Sequence, residues 1–355
     1  MATNPYSALA DSAYWSRAVA RVLPIDVDPV GTPPFSISKS DRIATVGSCF
    51  AQHISKALMA DGYAFLITEK GEFERNYEVY PARFGNIYST RQLLQLFSRA
   101  YGLFLPQDET WVRPDGALVD PFRPQIEPVG FPSIDALVAD RRDHLAAVRR
   151  MFELCDVLIF TLGLTEVWRS VVDGAVVPLA PGVVAESTTA AEYEFANLEV
   201  SDMVGDLCTT IDKLRTVNTS ARVVLTVSPV PLVATYENRH VLLSTIYSKS
   251  ALRVVAEMVC RRVQGVSYFP SYEIITGHHN RYAYFEPDLR SVSSEGVAQV
   301  MRLFKRHYLR DDVQTQTGLP KEHGPDTTAQ EMAIEQRLRQ AKDILCDEEE
   351  LDPRN

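Results

Sequence analysis

Three short apolar runs constrain this chain most: Ile43–Val46, Asp156–Leu162 and Ala221–Val227. Each is short and β-branched or apolar almost throughout, the pattern of a strand buried on both faces of a parallel sheet. Helical patterns stand between them. Ile54, Leu58 and Met59 share one helix face after Ala51. Leu137, Leu145, Val148, Met151 and Phe152 form one stripe of a helix over Ser133–Cys155, and Ser201–Val217 reads as another. Further elements keep the alternation. Tyr63–Leu66 reads as a second strand, and Ser89 or Thr90 caps a helix through Leu93, Leu96 and Phe97. Tyr247–Val263 is helical, Val266–Phe269 is the last strand, and Ser293 or Ser294 caps a final core helix. Strands alternating with helices predict a three-layer α/β/α sandwich, doubly wound around a mostly parallel sheet.

The regular core is expected over residues 41–310, preceded by an extended lead-in at 1–40, where Pro24, Pro29, Pro33 and Pro34 limit regular structure. Trp15, Val19 and Val22 suit a short packed helix there. Two loop insertions interrupt the core. The first, about 103–133, is proline-rich with a turn at Pro114-Asp115-Gly116, and it holds Arg123 between Pro121 and Pro124. The second, about 170–199, has β-prone runs around Gly174 and Pro181-Gly182. After residue 310 a polar linker, a helix over Thr327–Leu345 and an acidic end are expected, and the helix is a candidate surface for homo-oligomerisation.

The net charge of -10, with no basic block, argues against nucleic acid as a partner. No apolar run reaches the roughly 18 residues of a membrane span. Met1–Ala10 has no secretory pattern, and the five scattered cysteines form no CxxC pair. A reducing, cytoplasmic setting is expected. There is no GxGxxG after a strand, no phosphate-loop lysine and no metal-ligand cluster, so neither cofactor nor metal is expected.

Chemistry points to the turn after the first strand. In Gly47-Ser48-Cys49, glycine permits a sharp strand-to-helix turn and Ser48 can cap the helix. It also stands where open parallel sheets bind ligands, at a strand's carboxyl end. Gly47-Ser48-Cys49-Phe50-Ala51 resembles the name motif of the GSCFA family, which is grouped with SGNH/GDSL-like hydrolases. Phe84–Tyr88, Thr161–Glu166, Val227–Val230 and Phe269–Glu273 also look like the family, and the resemblance covers roughly residues 40–308.

The resemblance implies an SGNH-like, flavodoxin-like fold and Ser48 as nucleophile of an esterase or acyltransferase. It further implies a carbohydrate-linked or other acylated small molecule as substrate. Gly85 or Asn86 would hold the place of one oxyanion donor. The block at Gly163 departs from the superfamily, because Thr165 stands where an asparagine donor is usual, and Glu166 follows. A larger departure lies at Asp288-Leu289-Arg290-Ser291, where Ser291 replaces the histidine of the usual Asp-x-x-His. Three sources of a base remain: His240, then His278 or His279, then His53. A fourth alternative is a non-catalytic glycan-binding or assembly protein on this scaffold. Cys49 is expected to face the core, and Lys249 to lie on a helix surface. Trp111, Trp168, Tyr88, Tyr236 and Tyr247 suit sugar faces as well as plain packing.

Overall fold

A computed structural model describes residues 4–189, 191–310 and 347–352. The expected linker at 311–325 and helix at Thr327–Leu345 lie outside the described residues.

Four parallel strands form the central sheet: β1 (Ile43–Val46), β4 (Val157–Leu162), β9 (Arg222–Val227) and β10 (Val266–Tyr268), in that spatial order. Register runs Ile43 to Val157, Val157 to Arg222 and Val223 to Val266. Side chains alternate between two cores, as the period of a strand requires. Ala44, Leu158, Phe160, Val223 and Leu225 face one side, where α2 (Thr90–Ala100), α3 (Ile134–Leu154), α4 (Val200–Val217) and α5 (Val241–Arg262) pack. Ile43, Val157, Ile159 and Val224 face the other, against α1 (Cys49–Ala60), α6 (Ser271–Thr276) and α7 (Ser294–Tyr308). The expected α/β/α sandwich is therefore present.

Helix starts follow the expected caps. Ser89 forms a capping box with Gln92, and Ser133 and Ser293 accept from Ala136 N and Gly296 N. Two expectations fail locally. Tyr63–Leu66 makes a single parallel bridge, Phe65 to Ile43, instead of a strand. The chain leaves the sheet edge because Thr68 bonds Pro81 O and Ala147 O. In the lead-in the expected short helix forms at Ser16–Ala20, but Trp15 is exposed and does not pack.

The two insertions meet. β2 (Trp111–Val112) pairs antiparallel with β3 (Leu118–Val119) around the expected turn and with β7 (Glu186–Ser187) of the second insertion. In the latter, β5 (Glu166–Ser170) pairs with β6 (Val176–Val177) and β8 (Tyr193–Asn197). Trp111 is fully buried at the centre of a small separate core, so it presents no face to a ligand. Arg123 is likewise structural. It is buried against Asp120 and Asp140, at 3.0 and 2.8 Å.

Candidate functional site

β1 and β4 approach closely at their carboxyl ends, and Gly47 makes this approach possible. Its φ is +150°, and an added Cβ would stand 2.8 Å from Thr161 Cβ and 2.9 Å from Thr161 O. The turn sets Ser48 in extended conformation as the N-cap of α1, 4 % exposed. A serine here ordinarily accepts from a backbone N–H of the first turn. Ser48 makes no such side-chain bond. Its hydroxyl is not engaged by the helix it begins.

The loop before α2 lies across the two strand ends. Ile87 N donates to Gly47 O at 3.0 Å, and Gly163 N and Leu164 N both donate to Tyr88 O. Gly85 supplies the bend at φ +72°. Asn86 is buried, and its amide is oriented through α1: Gln52 Nε2 donates to Tyr80 Oη, and Tyr80 Oη donates to Asn86 Oδ1. The donor end of Asn86 therefore points the other way, and Nδ2 donates to Asp347 Oδ2 at 3.0 Å.

Lys249 completes the strand-end region from α5. It is buried, and Nζ donates to Gly163 O at 2.5 Å. Burial pulls its pKa down to about 8, against the opposing fields of Glu348 and Cys49. Cys49 follows Ser48 directly, so the ammonium and the Ser48 turn share one neighbourhood. The expected surface lysine is therefore an interior one. Its spacing carried the signal: Lys249, Leu252 and Ala256 fall at helix-face intervals, and all three are buried.

The other candidates lie in ordinary structural roles. Thr165 N donates to Ser248 Oγ and Thr165 Oγ1 to Asn197 Oδ1, so both of its donors are engaged. Glu166 accepts from Thr235 Oγ1 and Tyr236 N, which pins the loop after β9. His240 is exposed and caps α5, with Nδ1 accepting from Leu242 N. His53 sits against Phe50 in α1, its pKa lowered to about 4 by burial and then by Lys56. His278 and His279 form a one-turn helix beyond α6, and burial and His278 lower the pKa of His279. Among the described residues none of these histidines hydrogen-bonds Ser48 or Asp288.

Asp288 closes a turn. Its Oδ1 accepts from Arg290 N and Ser291 N, and Oδ2 accepts from Ser291 Oγ at 2.6 Å. Burial pushes this carboxyl up, but those bonds outweigh it and hold it below the usual range. The turn also projects Arg290, which meets Glu348 at 3.1 Å and Glu349 at 3.7 Å.

Among the described residues no group of three or more His, Cys, Asp or Glu side chains could hold a metal, and no helix is long and apolar enough to cross a membrane. No curated protein matches the chain closely enough to count as a relative. The GSCFA family pattern matches residues 42–304, which takes in the Ser48 turn, the Asn86 loop, Gly163, Lys249 and Arg290. With almost three quarters of its length matched, the chain belongs to the GSCFA family.

Proposed function

We propose that the chain is a serine esterase or acyltransferase, with Ser48 as nucleophile and Lys249 as its general base. One observation carries this reading. An uncapped serine hydroxyl stands at the carboxyl end of β1, and a buried lysine of lowered pKa, which senses the adjacent Cys49, is bonded to the carbonyl just after β4. A serine hydroxyl needs a base to act near neutral pH, and a desolvated lysine is one of the few side chains that can serve without histidine.

In the proposed reaction Ser48 Oγ attacks the acyl carbon and its proton passes to neutral Lys249 Nζ. The carbonyl oxygen gains charge, and Asn86 Nδ2, which donates to Asp347 Oδ2 in the resting chain, is the proposed donor to it once that carboxyl is displaced. The bond to the leaving alcohol then breaks, and Lys249 returns the proton to that oxygen. Water or a second hydroxyl then gives its proton to Lys249 and attacks acyl-Ser48, the acyl–Oγ bond breaks, and Lys249 returns the proton to Ser48 Oγ, which gives hydrolysis or transfer. A sugar is the proposed bearer of the acyl group. Tyr236, 68 % exposed, packs on Trp168 and Phe195 at ring distances of 4.7 and 5.2 Å and offers a stacking face.

The rival reading, glycan binding without turnover, draws on the Asp288–Ser291 bond, which occupies the carboxylate that would otherwise orient a histidine. Labelling with a fluorophosphonate probe, read by peptide mass spectrometry, separates the two. An adduct on Ser48, lost in Ser48→Ala, supports the enzyme. A wild-type chain left unlabelled where a control esterase reacts supports the binder.

A further inference from the structure

The segment Asp347–Leu351 returns to the strand-end site from 261 positions beyond Asn86 in sequence. Asp347 and Glu348 are buried there, at 3 % and 9 % exposure. Buried carboxylates are rare unless paired, and each of these has a partner from a different part of the fold. Asp347 Oδ2 takes Asn86 Nδ2 at 3.0 Å, and Glu348 takes Arg290 at 3.1 Å with the Lys249 charge nearby. At the rim Gln125 Nε2 donates to Glu350 Oε1 at 3.1 Å. In a chain of net charge -10, two cations and two amides converge on one spot.

We infer that Asn86, Arg290 and Lys249 form a binding site for a carboxylate-bearing ligand, and that the chain's own Asp347 and Glu348 occupy it as an internal blocker. The match is incomplete. Asp347 Oδ1 is buried with no hydrogen-bond partner among the described residues. An unsatisfied buried oxygen carries its full desolvation penalty. A ligand that satisfies both oxygens would displace the segment. As a seat that blocks the base and donor of the acyl chemistry proposed above the inference rests on that reading, whereas the carboxylate seat itself stands without it.

The test uses the full-length chain and the dipeptide Ac-Asp-Glu-NH2, with neutral Ac-Asn-Gln-NH2 as control, followed by titration calorimetry. The acidic dipeptide should bind the Asp347→Ala/Glu348→Ala variant at least ten-fold more tightly than wild type, because the internal competitor loses both carboxyl groups. Adding Arg290→Gln should remove that gain, and the neutral dipeptide should not bind. Equal affinity for wild type and variant, no binding to the variant, or equal binding of both dipeptides would overturn the inference. Hydrogen exchange on wild type needs no variant. Saturating acidic dipeptide should speed exchange across residues 347–351, and unchanged exchange would also overturn it. Dipeptide binding with no probe adduct on Ser48 would count against the acyl chemistry alone, and an adduct without dipeptide binding against the carboxylate seat alone.

Discussion

Lys249 Nζ donates to the carbonyl oxygen of Gly163 at 2.5 Å, which ties the interior face of α5 to the carboxyl end of β4. The same bond leaves the ammonium hemmed in by protein, and burial lowers its pKa from 10.5 to about 8. A base must be deprotonated to act. Labelling of Ser48 by the fluorophosphonate should therefore rise as pH climbs through about 8 and level off above it. Lys249→Met keeps the apolar stem and removes the base. It should slow labelling by about 100-fold or more, within the usual range for general-base loss, and abolish the rise near pH 8. Rate against pH for both chains decides this, and a flat wild-type profile would remove Lys249 from the proposal.

Gly47 is required by both backbone and space. At φ +150° with Thr161 Cβ and O both under 3 Å from an added Cβ, the neighbours belong to a packed strand and cannot swing aside. Gly47→Ala should lower stability by about 1–3 kcal/mol, the usual cost of overpacking, and move Ser48 as well. Urea denaturation measures the first effect, and the Ser48 labelling rate the second.

Asp120 stands completely buried between Arg123 at 3.0 Å and Arg141 at 3.3 Å. The nearby arginines outweigh the burial that would raise its pKa and hold its carboxyl far below the usual range. Asp120→Asn removes the negative charge and leaves both guanidinium groups less compensated in the interior. Breaking a buried pair in this way costs about 3–5 kcal/mol. Denaturant unfolding should place the loss near that range, and a loss below about 1 kcal/mol, typical of an exposed pair, would contradict the role assigned to Asp120.

The architecture was legible because its signals are local. The runs at Ile43–Val46 and Val157–Leu162 are apolar on both faces, and Ser89, Ser133 and Ser293 cap the helices that follow them. Gly47-Ser48 could be placed at a strand end for the same reason. Lys249 was misplaced because a lysine is ordinarily at the surface, although its intervals to Leu252 and Ala256 put it on the inner stripe. Trp111 stayed open between a sugar face and plain packing because a proline-rich insertion gives no sign that β2 and β7 will build a second small core around it. The contact of Asn86 with Asp347 has no sequence signature, since it depends on how the chain returns after residue 310.

That contact should respond to pH. Burial raises the Asp347 pKa from 3.8 to about 6, with the Asn86 bond opposing and Glu348 and Glu350 adding to the rise. Glu348 is also raised by burial, against Arg290 and Lys249. Both carboxyls hold their protons more tightly when seated than when exposed. The seated state is therefore favoured at low pH, and it loses ground as pH rises from 3.8 to about 6 and levels off above that. Hydrogen exchange across residues 347–351, corrected for the intrinsic rate, should show protection falling over that interval. Asp347→Asn has no proton to lose at that position, so its protection should change less with pH. Protection that instead grows towards pH 6 would mean that the attraction of Arg290 and Lys249 for ionised Glu348 outweighs the burial of both acids.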